Sequence, residues 1–158
     1  MGADLMNKGV ILLVEDDPSL AQLTVSFLQQ QEFTDEVVLA CDGVEACDYL
    51  FRPERDATDM PGLVLLDINM PRLDGFGVLR KMRAAERTRC VPVVMLSSSV
   101  HPEDVRSAYR LGANGYLDKM PEGVRWDEML RTVARYWLGM NITQHSFVGQ
   151  DNGFAHRL

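Results

Sequence analysis

The sequence predicts a doubly wound α/β protein, a parallel sheet with helices on both faces. Two observations carry this prediction. Short, uniformly apolar runs recur along the chain, as expected of strands covered on both sides. Between them lie segments with apolar residues at helical spacing, joined by short connections that suit strand–helix–strand crossovers.

VILLV (10–14) is the first strand. Pro18 then stands at a first helical position, with Asp17 before it in the form of a helix N-cap. Leu20, Leu23, Phe27 and Leu28 share one face of that helix. VVLA (37–40) is the second strand, closed by the turn signal Asp42-Gly43. Val44, Cys47, Leu50 and Phe51 give the second helix. Residues 52–62 (RPERDATDMPG), polar with two prolines, read as a loop. LVLL (63–66) is the third strand. Pro71 and Asp74-Gly75 break the chain before the helix of Phe76, Leu79 and Met82. Residues 91–96 form the fourth strand, with Pro92 at its start. Pro102, Glu103 and Asp104 open the next helix with acids in its first turn, where the dipole favours them. Val105, Ala108 and Leu111 lie on it, and Gly112 ends it. Residues 115–117 are a short fifth strand. Trp126, Met129, Leu130, Val133 and Trp137 form the last helical stripe. Periodicity stops after Leu138, so 9–138 is read as one domain and 139–158 as a partly ordered tail.

Composition narrows the function. The chain has 158 residues, 46% hydrophobic and 25% charged, an ordinary globular balance that excludes a fully disordered chain. No apolar run reaches the roughly 20 residues of a membrane span. The net charge of −7, from 16 basic and 23 acidic residues, disfavours non-specific binding to nucleic acid or a membrane surface. It suits a metal cation if some acids cluster. The first residues, MGADLMNKG, show neither a signal peptide nor a myristoylation pattern. Cys41, Cys47 and Cys90 lack metal-type spacing and read as reduced, mostly buried thiols of a cytoplasmic protein.

In a doubly wound sheet, ligands bind beyond the carboxyl ends of the strands. There the sequence puts Glu15, Asp16 and Asp17 after the first strand, and Asp67 and Asn69 after the third. Ser97, Ser98 and Ser99 follow the fourth strand, and Asp118 and Lys119 the fifth. Converging carboxylates repel unless a cation intervenes. Mg²⁺ accepts one or two carboxylates, waters and phosphate oxygens. An ammonium opposite suits a dianion, and a carboxylate is a competent nucleophile toward phosphorus. The arrangement therefore points to a phosphoryl group on or near Asp67.

The segments ILLVEDDP (11–18), LVLLDINMPRLDG (63–75), VPVVMLSSS (91–99) and GANGYLDK (112–119) resemble the receiver domain of two-component response regulators. The spacings agree: Asp67 lies 50 residues after Asp17, Ser97 30 after Asp67 and Lys119 22 after Ser97. The resemblance implies a flavodoxin-like (βα)5 fold with strand order 2-1-3-4-5. It implies Asp67 as the residue phosphorylated by a histidine kinase, and Asp16 and Asp17 as the acidic pair for Mg²⁺, with Asp17 and Asp67 the direct ligands. Asn69 would bind the metal through its backbone carbonyl. Ser97 would be the hydroxyl switch, Lys119 the phosphate-pairing lysine and Tyr116 the aromatic residue that turns inward. Asn69 and Ser99 would tune the phosphate lifetime.

Two features depart from the family's pattern. Met120 separates Lys119 from Pro121, so a cis bond there could only be Met120–Pro121. The 52–62 loop is long, which together with the ending ARYWLGMN (134–141) resembles the small stand-alone receivers paired with bacterial phytochrome kinases. A phosphorylation switch would then act through the fourth helix, fifth strand and fifth helix. Its partners would be a sensor kinase, with a bacteriophytochrome as the candidate that this finer resemblance names, and a downstream protein or histidine phosphotransfer protein. A homodimer is expected through the aromatic-rich last helix (Trp126, Tyr136, Trp137, Leu138). A Mg²⁺-dependent phosphatase with an aspartyl phosphate intermediate is the competing class, but it usually carries a second Asp where this chain has Asn69. A degenerate receiver that binds partners without phosphate is disfavoured by the intact Asp67, Ser97 and Lys119. No G-x-G-x-x-G follows the first strand to support dinucleotide binding.

Overall fold

The computed structural model describes residues 9–56 and 59–142. The expectation about the tail therefore lies outside the described residues from 143 on, as does the reading of the first eight. Five parallel strands, β1 (Gly9–Val14), β2 (Thr34–Ala40), β3 (Leu63–Asp67), β4 (Val93–Ser97) and β5 (Gly115–Asp118), form one sheet in the order 2-1-3-4-5. The helices are α1 (Pro18–Gln29), α2 (Gly43–Leu50), α3 (Gly75–Ala84), α4 (Pro102–Arg110) and α5 (Trp126–Ala134), and the last runs on as a π-helical turn, Arg135–Met140. This is the flavodoxin-like receiver fold that the sequence predicts.

The uniform apolar runs are explained by cover on both faces. β3 and β4 are buried along their whole length. Alternate residues feed two separate cores. Leu12, Val14, Val64 and Leu66 face α2 and α3. Ile11, Leu13, Leu63 and Leu65 face α1 and α5. Each buried leucine contributes about 1.5–3 kcal/mol, so the central strands are a rigid base for the residues at their ends.

Local signals set where the helices begin. Asp17, Asp42 and Asp74 cap α1, α2 and α3 through their side chains. Pro18 and Pro102 lie in the first turns of α1 and α4. Gly112, after α4, has φ +98°, which a residue with a Cβ rarely adopts.

Some sequence expectations need correction. Leu23 is not in the core: α1 buries Ala21, Thr24 and Leu28, and Leu23, off that line, is 48% exposed. The cysteines are not mostly buried. Cys41 and Cys90 lie exposed in connections and Cys47 is half-buried. No peptide bond is cis among the described residues, so Met120–Pro121 is trans. The last helical segment continues past Leu138 to Met140. Its Leu138 spends its bulk internally, against the glycines Gly9 and Gly62 at the start of β1 and just before β3. Trp137 also packs on the core, whereas Tyr136, Met140 and Ile142 are exposed.

Candidate functional site

The carboxyl ends of β1, β3, β4 and β5 lie side by side. In the sheet register Asp67 sits opposite Leu96, and Ser97 opposite Asp118. Residues 67, 97 and 119 are thus delivered to one edge by backbone pairing alone. Lys119 is fixed further by its own N–H, which donates to the Ser97 carbonyl at 2.9 Å.

The side chains converge. Lys119 Nζ lies 2.7 Å from Glu15 Oε2 and 3.1 Å from Asp67 Oδ2. One carboxylate oxygen from each of Glu15, Asp16 and Asp67 lies within 4.8 Å of the others. Glu15 is 2% and Asp67 4% exposed, while Asp16 is exposed. The group opens into a cleft of about 480 Å³. Its further lining is mixed, with polar Asp17, Asn69 and Ser98 and apolar Leu20, Leu23, Met120 and Trp126.

Electrostatics follow from that crowding. Burial pushes the Asp67 carboxyl up to about 6; Lys119 pulls it down, and Glu15 and the contact with Asp16 push it up again. Burial alone would lower the Lys119 ammonium. Its hydrogen bond to Glu15 and the charges of Asp67 and Glu15 outweigh that and hold it above the usual lysine range. One ammonium thus pairs with two of three clustered carboxylates. An all-oxygen donor set with surplus negative charge at an open cleft fits a hard divalent cation such as Mg²⁺.

The expected site residues fall into place unevenly. Asp16, Asp67 and Lys119 are brought together as the sequence suggests. Asp17 lines the same cleft, but its Oδ1 accepts from the N–H groups of Ser19 and Leu20 as the α1 cap. The acid that joins Asp16 and Asp67 in the cluster is Glu15. It also accepts the Asp17 N–H at 3.1 Å. Sequence reading named Glu15 only as the residue after β1. The signal lay in the cap itself: a helix opening on Pro18 engages the Asp17 side chain, which leaves Glu15 and Asp16 as the acids turned toward Asp67.

Ser97 is fully buried at the end of β4, and its Oγ accepts the Ser99 N–H at 3.0 Å. Ser99 Oγ donates to Asp104 Oδ2 at 2.7 Å. The Tyr116 hydroxyl donates to the Ser99 carbonyl at 2.6 Å, so this half-buried ring already lies against the loop after β4. Asn69 donates its backbone N–H to Asp67 Oδ1 at 3.4 Å. Trp126 closes one side of the cleft, and its Nε1–H donates to Thr24 Oγ1 at 3.1 Å.

A parallel 2-1-3-4-5 sheet with acids, a hydroxyl and a lysine at its carboxyl edge is the architecture of a receiver-type signalling domain. The response regulator receiver domain family matches residues 11–131, and the chain belongs to it. Among curated relatives, the probable methanogenesis regulatory protein FilR2 of Methanothrix harundinacea is 38% identical over 135 residues, covering 84% of this chain and 85% of that one. Response regulator Rcp1 of Synechocystis is 32% identical, covering 82% of this chain and 88% of its own length. The phosphorylated cyanobacterial phytochrome response regulator RcpA superposes with a TM-score of 0.77 at 31% identity, covering 86% of this chain and 98% of that one. A structure of the Mn²⁺-bound form of Rcp1 matches with a TM-score of 0.74 at 31% identity, covering 85% of this chain and 98% of that one.

Proposed function

We propose that this protein is a stand-alone response regulator, with residues 9–138 as its receiver domain, that takes a phosphoryl group from a histidine kinase onto Asp67. The observation that carries the reading is the placement of Lys119 Nζ 3.1 Å from Asp67 Oδ2 within a cluster of three carboxylates. An Asp67 oxygen attacks phosphorus. The bond from phosphorus to the histidine nitrogen breaks, its electron pair stays with the imidazole, and an acyl phosphate remains. With its carboxyl raised only to about 6, Asp67 is ionised and nucleophilic at neutral pH. Lys119, held charged, stands beside the oxygens on which negative charge accumulates.

Asp16, Asp67 and the Asn69 backbone carbonyl would hold Mg²⁺, with Glu15 in place of Asp17 beside them. Bound there, the cation neutralises phosphoryl oxygens and offsets the surplus carboxylate charge. The Mn²⁺-bound form of Rcp1 supports this assignment by analogy. Phosphate adds about 1.5–2 negative charges at Asp67. Ser97 would turn its hydroxyl toward them and give up the hydrogen bond from Ser99. The loop of Ser99 carries the Tyr116 contact, so the α4–β5–α5 face is the output surface. Asn69 and Ser99, beside the site, would set the phosphate lifetime.

No helix among the described residues is long and apolar enough to cross a membrane; the cytoplasmic location belongs to the reading of the chain as a partner of a histidine kinase. The phytochrome relatives favour a bacteriophytochrome as the kinase. A downstream protein or histidine phosphotransfer protein would be the recipient of the signal. Tyr136, Met140 and Ile142 offer an exposed apolar strip for a homodimer. The test is labelling by acetyl phosphate or a kinase with Mg²⁺. Wild type should form a hydroxylamine-sensitive acyl phosphate and Asp67→Asn should not. Equal labelling of the two would overturn the assignment.

A further inference from the structure

The loop between β3 and α3 contains a strained turn. Arg72 has φ +67°, a conformation costly for a residue with a Cβ, and it is the only such non-glycine residue among those described. The Leu73 N–H donates to the Pro71 carbonyl at 2.8 Å across it. A bond from residue i+2 to residue i around a positive φ is the rarer and more strained form of γ-turn. Such strain persists only where surrounding contacts hold it.

Those contacts come from the neighbouring loop. Arg72 Nε donates to Asp42 Oδ2 at 2.9 Å, and its Nη2 donates to the same oxygen. Asp42 Oδ1 meanwhile accepts the Glu45 N–H at 2.9 Å as the cap of α2. These partners hold the Asp42 carboxyl below the usual range, with the Glu45 bond the larger cause. A second contact lies alongside. A Cβ on Gly43 would stand 2.2 Å from the Leu73 carbonyl oxygen, so the start of α2 lies directly on this turn. Across the loop, the Gly75 N–H donates to the Ile68 carbonyl at 2.8 Å, and a Cβ there would stand 2.1 Å from the Asp67 carbonyl oxygen. Residues 68–74 are thus fastened at both ends. One end is the acceptor Asp67 itself, and the other is the Arg72–Asp42 pair.

We infer that the Arg72–Asp42 pair is a clasp that holds this strained turn and so presents Asp67 and the Asn69 carbonyl to the incoming cation and phosphoryl group. Arg72 is a positioning residue, tied to Asp67 through the four intervening residues 68–71. The inference rests on the reading of Asp67 as the phosphoryl acceptor. The Arg72 side chain is largely exposed while Asp42 is buried, and Asp42 keeps its cap bond to Glu45 when the guanidinium is removed; a pair open to solvent on one side contributes little to global stability, so positioning and folding are separable.

The experiment measures Mg²⁺ dependence in two ways: Trp126 fluorescence on titration with Mg²⁺, and the initial rate of labelling by acetyl phosphate at graded Mg²⁺. Asp42→Asn keeps an N-cap but loses the charge, and Arg72→Gly loses the pair while accepting the positive φ. Each should raise the half-saturating Mg²⁺ by about tenfold, the scale seen when groups that orient metal ligands are removed. The rate at saturating Mg²⁺ and the urea midpoint should stay near wild type. The double variant should be no worse than either single one, because both remove one interaction. Arg72→Lys should recover part of the loss. Half-saturation within about twofold of wild type in both single variants, or effects that multiply in the double variant, would overturn the clasp. A wild-type protein that takes no label at all would overturn the functional reading instead.

Discussion

Replacing Asp67 by Asn should stabilise the metal-free protein at neutral pH. The folded state raises the Asp67 carboxyl from 3.8 to about 6, so it binds that proton more tightly than the unfolded chain does. Below about pH 4 the group is protonated in both states and adds nothing. Between about pH 4 and 6 the unfolded chain ionises first and stability falls as pH rises. Above about pH 7 the full penalty is present. At about 1.4 kcal/mol per pKa unit the displacement is worth up to about 3 kcal/mol. The pull of Lys119 is already contained in that displacement; an amide that fills the place of the carboxyl less than perfectly leaves a net gain from Asn of about 1–2 kcal/mol, or about 0.5–1 M in a urea midpoint. Urea unfolding of wild type and Asp67→Asn in EDTA at pH 4.5 and pH 7.5 measures it. A gain at pH 7.5 that shrinks at pH 4.5 is expected. An equal gain at both values, or a loss at pH 7.5, would refute the view of Asp67 as an ion destabilised by its neighbours.

Lys119→Met should destabilise the protein by about 2–4 kcal/mol at pH 7.5, because it leaves the buried Glu15 carboxylate without its ammonium; labelling should slow about 100-fold or more. Denaturation and acetyl phosphate kinetics check the two effects. Gly75→Ala should cost about 3 kcal/mol or abolish folding, since its Cβ would fall 2.1 Å from the Asp67 carbonyl oxygen, and thermal unfolding would show it. Mg²⁺ should change tryptophan emission in Trp137→Phe but not in Trp126→Phe, because only Trp126 borders the cleft. Leu138→Ala should lower stability by about 1–2 kcal/mol through the gap left beside Gly9 and Gly62, with the labelling rate unchanged.

What the sequence made legible was governed by the strands. Asp67, Ser97 and Lys119 each end or follow an apolar run, so strand order alone brings them to one edge. Glu15 was less legible because three acids stand in a row, and hydropathy does not say which one continues the buried strand. The cap of the helix opening on Pro18 does say so. Leu23 followed helical spacing, yet spacing cannot tell a core face from the lip of a cleft beside it. The Arg72–Asp42 pair left no trace in any periodicity. Its members are 30 residues apart, and a positive φ at arginine has no signature in composition. The π-helical turn was equally hidden, since it keeps a helical appearance while changing which residue meets the sheet.

The seat of Leu138 against Gly9 and Gly62 pins the π-helical turn to the floor of the sheet. That floor is the opposite pole from the acids, about 20 Å away over the six residues of β1. A partner seated on Tyr136 and Met140 would therefore stand clear of the mouth that a phosphate donor must enter. It would feel occupancy there only as a movement relayed down the height of the strands.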